Sequence, residues 1–255
     1  MLRPLLTGKV KRFVKRYLPE FILPVAKRVA RGWTKSPGAG FPLEPALPLP
    51  GGVSEERLRE FLGGVRVADA PEAEMRSYCN EDLRRFVYTY GLAAGQSGRA
   101  LELGANPYFT TMLLRQFTPL HLTLANFFGP TAEKQATQRV HYRDYESGAP
   151  STVEFPFHIF NIEADRFPFE DASFDLVFYC EIIEHLLTDP IFSLSEVKRV
   201  LRPEGILVLT TPNVARLENV ARFLAGANIY DPYSGYGPYG RHNREYNRHE
   251  LFLLL

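Results

Sequence analysis

Acidic residues in the middle of the sequence lie in or just after short apolar segments, and a histidine accompanies one of them. Glu102 lies within "RALELG", Glu163 follows "FHIFNI", and Glu184 and His185 come soon after "FDLVFYC". Carboxylates can hold a cationic ligand or exchange protons, and histidine is well suited to accept a proton near neutral pH. If the apolar segments are neighbouring strands, these residues predict one ligand-binding and catalytic site at the strand ends.

The segments that carry these residues are typical of an α/β protein. Short apolar runs, interpreted as strands, alternate with helical segments; the runs are "RALELG", "LHLTLAN", "FHIFNI", "FDLVFYC" and "GILVLTT". Before the last run, Asp189 and Pro190 are typical of a helix N-cap and first turn. The alternation predicts a doubly wound, mostly parallel sheet, in which ligands bind at the carboxyl ends of the strands.

The segment "LELGANPYFT", residues 101–110, predicts a sharp turn from the first strand into a helix. A dinucleotide site needs the glycines of G-x-G-x-x-G so that a pyrophosphate can approach the backbone. The side chains of Pro107 and Tyr108 are expected to crowd that approach, while Asn106 takes the left-handed turn and Pro107 begins the helix. The acidic Glu102 suits a cationic ligand better, and S-adenosylmethionine carries an ammonium and a sulfonium but no phosphate.

From about residue 96 to residue 214, the sequence resembles class I S-adenosylmethionine-dependent methyltransferases. Their first motif, hydrophobic-acid-hydrophobic-Gly-x-Gly-x-Gly, is matched at Glu102 and Gly104 and departs at Asn106 and Tyr108. The stretches "FNIEADRFPFEDASFDLVFYCEIIEHL" and "EVKRVLRPEGILVLTTPN" follow in the order of that family. The resemblance implies a Rossmann-like methyltransferase fold and S-adenosylmethionine as the cofactor.

The resemblance also implies which residues contact the cofactor. Glu102 and the loop from Gly104 correspond to the part that holds the methionine moiety, and Glu163 to the acceptor of a hydrogen bond from the adenine amino group. Where the family usually has an acid that binds both ribose hydroxyls, this sequence has Asn126, whose amide lacks charge assistance. Phe127 either stacks on adenine or packs in the core. The full predicted set is Glu102, Gly104, Ala105, Asn106, Asn126, Phe127, Glu163, Ala164 and Glu181.

The segment "EIIEHL" and a later histidine supply the candidate catalytic groups. Methyl transfer to a hydroxyl needs a group that takes up the hydroxyl proton, and the candidates are Glu184, His185 and His242. Glu-x-x-Glu-His also resembles the Mg²⁺ site of small-RNA 2′-O-methyltransferases and ubiquinone-pathway O-methyltransferases. We favour the alternative of hydrogen-bonded loop residues with one general base and no metal.

The tyrosine- and glycine-rich segment "YDPYSGYGPYGRHNREYN" is predicted to contact the acceptor. Tyrosines and arginines can stack on and hydrogen-bond a sugar, an aromatic ring or an anionic group. The predicted contacts are Tyr236, Tyr239, Arg241, Arg244 and Tyr246. The alternative is a plain surface loop.

Charge and composition distinguish a basic N-terminal segment from the acidic remainder of the chain. Residues 1–35 contain ten basic residues and one acid, a local charge of +9, whereas the remaining 20 basic and 28 acidic residues give −8. The amphipathic helical pattern of the basic residues at the start predicts either peripheral docking on anionic lipid through residues 1–31 or packing on the main domain. The acidic remainder argues against nucleic acid as a partner. The other predicted segments are a Pro- and Gly-rich linker (36–53), a helical lead-in (54–95), the cofactor-binding core (96–214) and the acceptor-side loop (215–255).

The sequence stops in "NRHELFLLL", which predicts the start of a helix capped by Asn247. The last two strands of the family are therefore expected to be missing, and the sequence to be a fragment. The two cysteines follow no metal spacing, and no secretory signal or membrane span is recognised. These features favour a cytoplasmic protein, either free or peripheral on the inner membrane face.

These observations favour a methyltransferase acting on a small-molecule or glycan hydroxyl. The segments "GANPYF" and "YSGYGPYGRHNREY" resemble methyltransferases associated with bacterial cell-surface polysaccharide synthesis. One alternative is a non-catalytic scaffold with a degenerate methyltransferase fold, which Asn106, Tyr108 and Asn126 favour. Another is an RNA methyltransferase, which the Glu-x-x-Glu-His segment and the basic start favour.

Overall fold

The computed structural model describes residues 45–68, 70–230, 233–235 and 237–255. The chain divides into two compact units, and each is described by itself. The sheet unit comprises residues 47–211, and the C-terminal unit comprises residues 212–255. The predicted basic helix of residues 1–35 lies outside the described residues.

Seven strands form the centre of the sheet unit: β1 (Arg66–Val67), β2 (Gly98–Leu103), β3 (Leu120–Asn126), β4 (Gln135–Arg143), β5 (Pro150–Ile159), β6 (Phe174–Cys180) and β7 (Leu201–Thr210). Their order in the sheet is β1-β4-β5-β3-β2-β6-β7. The pairs β5-β3, β3-β2, β2-β6 and β6-β7 are parallel, whereas β1-β4 and β4-β5 are antiparallel. The predicted mostly parallel, Rossmann-like sheet is confirmed.

The strands β4 and β5 form a hairpin where the predicted alternation requires a helix. Asp144 accepts hydrogen bonds from the backbone N–H and the hydroxyl of Ser147, and Gly148 has a φ of 69°, so the chain reverses here. Along both strands, exposed residues alternate with more buried ones, as expected for an antiparallel pair with one solvated face. The predicted alternation of strands and helices is therefore wrong between β3 and β5.

The described residues of the sheet unit form the α-helices α1 (Glu55–Gly63), α2 (Glu72–Ala93), α3 (Phe109–Phe117) and α4 (Pro190–Val200). Ser54 caps α1 and Asp189 caps α4, because each side chain accepts a hydrogen bond from a backbone N–H of the first turn. The predicted cap at Asp189 is confirmed. Helix α2 packs into the core that α3 and the central strands share, through Met75, Cys79, Leu83, Phe86, Val87 and Tyr90.

Part of the predicted linker belongs to this core. Residues 45–53 form no helix or strand, yet Leu47, Leu49 and Val53 pack against the buried residues of the sheet unit. Pro48 lies directly against Gly91 of α2. A Cβ at residue 91 would collide with the proline ring. These residues therefore cover α2.

The C-terminal unit contains α5 (Leu217–Leu224), a short 3-10 helix (Pro238–Gly240) and α6 (Arg248–Leu254). Asn247 caps α6, as predicted: its Oδ1 accepts from the Glu250 N–H at 3.0 Å, and the Glu250 carboxylate accepts from the Asn247 N–H at 3.1 Å. This reciprocal pair satisfies two backbone donors at the helix start. Along the part of the chain that the structure describes, no helix is long and apolar enough to cross a membrane.

Candidate cofactor site and catalytic groups

The loop after β2 begins with a glycine that the geometry requires. Gly104 has a φ of 64°, a left-handed conformation that glycine adopts without steric cost. A Cβ at this position would lie 3.0 Å from Ile182 Cδ1, so a side chain here would also require the Ile182 side chain to shift. The Gly104 N–H donates to the Ala125 carbonyl at 2.8 Å, which fixes the loop against β3.

The turn into α3 differs from the sequence prediction. The left-handed residue after Gly104 is Tyr108, with a φ of 70°, and not Asn106. The helix begins at Phe109, two residues later than predicted. The Tyr108 ring is fully buried and stacks on Phe155 of β5, with 5.3 Å between the ring centroids. The prediction that Tyr108 crowds a ligand is therefore wrong, because its ring lies in the core.

Asn126, at the end of β3, uses both polar atoms of its side chain on this loop. Its Oδ1 accepts from the Asn106 backbone N–H at 2.9 Å, and its Nδ2 donates to the Tyr108 hydroxyl at 3.1 Å. The residue is only 4% exposed. The predicted contact with the ribose hydroxyls would have to compete with these bonds. Phe127, which follows, is half-buried.

Glu102 is buried in β2, opposite Leu124 of β3 and Phe178 of β6. The Thr111 hydroxyl of α3 donates to its Oε2 at 2.7 Å. Burial raises the pKa of Glu102 to about 8, and the hydrogen bond from Thr111 offsets only part of that increase. The carboxyl group is therefore mostly protonated at neutral pH, and a cation brought beside it would favour its charged form.

Glu163, in the loop after β5, holds the backbone of a neighbouring segment. Its Oε1 accepts hydrogen bonds from the Leu187 N–H at 2.8 Å and the Thr188 N–H at 2.7 Å. The residue is half-buried, and Ala164 beside it is exposed. The predicted adenine contact would use the other carboxylate oxygen, Oε2.

The segment after β6 contains the remaining predicted carboxylates and His185. Glu181 has a φ of 54°, and Glu184 and His185 belong to a short 3-10 helix. Glu184 is buried and His185 is half-buried. The Thr211 hydroxyl donates to Glu184 Oε2 at 2.8 Å, while Glu184 Oε1 has no hydrogen-bond partner among the described residues. Burial raises the pKa of Glu184 to about 8, and the charge of Glu181 adds to the increase.

Arg85 of α2 is a functional candidate that the sequence analysis missed. Its Nε lies 3.9 Å from Glu181 Oε2, and the guanidinium also donates to Asp82 and to the Tyr78 hydroxyl. It therefore brings a positive charge to the carboxylates that follow β6. Arg85 lies outside the motifs of the sequence. The sequence pattern that could have revealed it is weak, because it is only a basic residue beside the apolar face of a helix.

Among the predicted acceptor contacts, Arg241, Arg244 and Tyr246 have partners within the C-terminal unit. Arg241 and Arg244 donate to side chains of the same unit at 3.0 and 2.7 Å, and the Arg244 guanidinium lies 5.1 Å from the centre of the Tyr246 ring. Tyr246 is only 4% exposed, so its ring offers little surface to an acceptor. Tyr239 is half-buried, and Tyr236 lies outside the described residues.

His242 is held by a buried carboxylate that the sequence analysis also missed. Its Nδ1 lies 2.9 Å from Glu245 Oε1. Arg216 donates to both Glu245 oxygens at 2.7 and 3.1 Å, and Asn219 Nδ2 donates at 2.8 Å. When Nδ1 of a neutral imidazole donates to a carboxylate, Nε2 is the atom that can accept a proton.

The comparison with protein families gives one match. Residues 101–209 match the family described as a methyltransferase domain. No curated protein sequence matches the chain. Among solved structures, the chain is similar to the CMeT domain of the citrinin polyketide synthase, with 16% identity, 73% of this chain and 50% of that chain covered, and a TM-score of 0.42.

Two further solved structures are similar to the chain at low identity. One belongs to the complex between the Haloferax volcanii Trm112 methyltransferase activator and a protein described as a methyltransferase (17% identity, 52% of this chain and 55% of that chain, TM-score 0.34). The other is a protein from Galdieria sulphuraria described as a sarcosine dimethylglycine methyltransferase (18% identity, 55% and 49%, TM-score 0.32). The chain spans about half the length of each of these structures.

The parallel strands β5-β3-β2-β6-β7 and the helices of the sheet unit are consistent with the Rossmann-like methyltransferase fold. The family match over residues 101–209 includes Glu102, Gly104, Glu163 and Glu184. It supports a class I methyltransferase domain in this part of the chain.

Proposed function

We propose that the protein binds S-adenosylmethionine in the sheet unit and transfers its methyl group to a hydroxyl of a small molecule or glycan. The observation that carries the proposal is the buried carboxyl of Glu102 beneath the exposed turn at Gly104. A ligand with an ammonium and a sulfonium would gain from the ionisation of Glu102.

Arg85 complements this charge pattern. The methionine part of S-adenosylmethionine ends in a carboxylate as well as an ammonium. A guanidinium binds carboxylates well because its donors form a planar fork. Arg85 lies beside Glu181, so this end of the site offers both charges that an amino acid zwitterion requires.

The chemistry needs positioning and one proton acceptor. S-adenosylmethionine supplies a methyl carbon that its positive sulfur activates. The acceptor oxygen forms a bond to this carbon as the carbon–sulfur bond breaks, which gives a methyl ether and S-adenosylhomocysteine, and the hydroxyl proton passes to a base. Glu184 keeps its own proton below a pH of about 8. The candidate bases are His185 of the sheet unit and His242, whose ring Glu245 orients within the C-terminal unit.

Binding is tested first, by calorimetric titration with S-adenosylmethionine, S-adenosylhomocysteine and 5′-methylthioadenosine. Glu163→Gln keeps an oxygen for the Leu187 and Thr188 N–H groups but removes the second acceptor, so we expect all three ligands to bind about tenfold more weakly. Glu170→Gln, an exposed change in the same loop, is the matched control. If the folded protein binds none of the ligands, the scaffold interpretation is favoured.

Arg85→Met separates the amino acid end of the ligand from the adenosine end. We expect S-adenosylhomocysteine to bind about tenfold to a hundredfold more weakly, because a hydrogen bond between charged groups is lost. Binding of 5′-methylthioadenosine, which lacks the carboxylate, is expected to change little. Equal losses for both ligands would contradict a role in carboxylate recognition.

The base is tested by His242→Asn and His185→Asn. Removal of a general base lowers kcat by about a hundredfold to ten-thousandfold and leaves cofactor binding unchanged. We expect this pattern for one of the two variants, and a loss confined to His242→Asn would assign the base to the C-terminal unit. A loss confined to His185→Asn would assign the base to the segment after β6 instead.

The acceptor class is a separate proposal. The sequence resemblance to polysaccharide-associated methyltransferases favours a glycan, and the basic residues 1–35 favour work at the inner membrane face. Screening lipid-linked and free oligosaccharides with labelled S-adenosylmethionine tests this class. Salt-sensitive binding of RNA would instead favour the RNA methyltransferase alternative.

A further inference from the structure

Three departures from the glycine-rich methyltransferase pattern meet in one hydrogen-bonded cluster. Asn106 and Tyr108 stand where the pattern has glycine, and Asn126 stands where it has an acid. The Asn126 amide joins the other two, through Asn106 N–H and the Tyr108 hydroxyl. We propose that Asn126 is a positioning residue that holds the Gly104–Phe109 loop in its ligand-binding conformation, and that the three residues compensate one another. This inference rests on the proposed function.

The first step of the argument concerns Tyr108. Its φ of 70° is a left-handed conformation, which strains a residue that has a Cβ. Burial of the ring against Phe155, nearly parallel at an interplanar angle of 7°, offers a packing gain that glycine could not provide. The loop thus keeps the left-handed turn and stabilises it from the core side.

The second step concerns the chemistry of residue 126. An amide donates and accepts, whereas a carboxylate only accepts. Here the amide accepts from the Asn106 N–H and donates to the Tyr108 hydroxyl. Burial raises the pKa of Tyr108, and the nearby Glu102 adds to the increase, so a second acid at residue 126 would meet an environment that disfavours negative charge. Asparagine fits this position better than the acid of the family.

The third step concerns ligand specificity. Asn126 is 4% exposed, and both its polar atoms have partners within the loop. Under the proposal, this side chain is committed to the loop and does not bind the ribose hydroxyls. The loss of affinity caused by removing one ribose hydroxyl from the ligand is then independent of the loss caused by removing the Asn126 amide.

The first experiment is a double-mutant cycle of Asn126→Ala and Tyr108→Phe, followed by thermal unfolding and by calorimetric binding of S-adenosylhomocysteine. Tyr108→Phe removes one hydrogen bond and is expected to weaken binding about fivefold, whereas Asn126→Ala also removes the bond from the Asn106 N–H and is expected to weaken it further. Because Asn126→Ala already removes the contact that Tyr108→Phe removes, the double variant should bind about as weakly as Asn126→Ala. Effects that multiply would overturn the proposal.

The second experiment repeats the titrations with 3′-deoxy-S-adenosylhomocysteine. Under the proposal, the affinity ratio between the normal and deoxy ligands is the same for the wild-type protein and for Asn126→Ala. A ratio that falls towards one in the variant would show that Asn126 binds the ribose, and would overturn the proposal. Asn80→Ala, an exposed change on α2, is the control for asparagine replacement.

Failure of this inference can be told apart from failure of the proposed function. If the wild-type protein does not bind S-adenosylhomocysteine, the proposed function fails, but unfolding of the single and double variants still tests the coupling between Asn126 and Tyr108. If Asn126→Ala does not fold, Asn126→Asp replaces it. The proposal expects Asn126→Asp to bind S-adenosylhomocysteine more weakly than the wild type, whereas tighter binding would indicate ribose recognition and overturn it.

Discussion

Glu102 in the sheet unit and Glu245 in the C-terminal unit are equally buried, each at 4% exposure, yet their pKa values move in opposite directions. Burial raises the pKa of Glu102 to about 8. Burial also acts to raise the pKa of Glu245, but hydrogen bonds from His242 and Arg216 outweigh it, and the pKa falls below its usual value. A carboxylate with its own donors is complete, whereas a buried carboxyl without a cation is incomplete, and a cation brought beside it would favour its charged form.

Glu184 resembles Glu102, because its pKa is also raised. Burial raises its pKa to about 8, and its Oε1 lacks a partner among the described residues. Buried polar atoms are rarely left unbonded in folded proteins, so such an atom points to a missing ligand or water. The sheet unit therefore concentrates incomplete carboxyl groups at the strand ends, where a parallel sheet binds ligands.

The largest expected effect is the loss of stability when the charge of Glu245 is removed. Glu245→Gln removes the charge opposite Arg216 and replaces an acceptor with a donor among three donating side chains. We expect a loss of about 2–3 kcal/mol in the free energy of unfolding, near the lower end for a broken buried pair because Arg216 is partly exposed. Denaturant unfolding measures it. Glu218→Gln, which removes only the exposed i,i+4 pair with Arg222, should cost less than about 0.5 kcal/mol.

The next effect concerns ligand binding at the incomplete carboxyl. Glu102→Gln keeps the acceptor for Thr111 but cannot become negative, so S-adenosylhomocysteine, which carries an ammonium, should bind about tenfold or more weakly. Binding of 5′-methylthioadenosine, which lacks the ammonium, should be unchanged. Glu245→Gln is the comparison variant, because it is expected to lower stability rather than ligand affinity. An unchanged affinity for both ligands would remove Glu102 from the cofactor site.

A further prediction on Glu102 uses pH. Because its folded pKa of about 8 lies above the ordinary 4.5, the folded state binds the proton more tightly. Its contribution to stability is fully present below pH 4.5 and is lost as the pH rises towards 8. The melting temperature of Glu102→Gln relative to wild type should therefore increase between pH 5 and pH 9. A difference that does not vary with pH would argue for an ordinary pKa.

The smallest expected effect concerns proton release on binding. If the cationic ligand lowers the pKa of Glu102, binding at pH 7 releases part of one proton. Calorimetric titration in two buffers of different ionisation enthalpy measures this release. It should disappear in Glu102→Gln and persist in Glu170→Gln.

Sequence periodicity predicted the central strands well because parallel strands are buried on both faces and form continuous apolar runs. "LHLTLAN" and "FDLVFYC" coincide with β3 and β6. The hairpin β4–β5 was missed because its strands alternate polar and apolar residues and are joined by a turn rich in polar residues, a weaker signal. That turn, "DYESGAP", with alternating residues on both sides, is the pattern that could have revealed it.

The site was predictable to the extent that it follows from the motif. Glu102 and Gly104 lie at the strand end as expected, because residue type and position on a strand determine where they point. The roles of Asn126, Arg85 and Glu245 depend on contacts between residues distant in the sequence. Arg85, for example, meets Glu181 from a helix that precedes the first motif. No spacing along the chain encodes such a meeting.

The contact between Glu163 and the backbone of Leu187 and Thr188 has a kinetic consequence. The same side chain that is proposed to bind adenine holds the residues just after His185. If Glu163 binds adenine through Oε2 while Oε1 holds this segment, cofactor binding and the conformation of the segment would be coupled through one carboxylate. That coupling would favour an ordered mechanism, in which the cofactor binds before the acceptor.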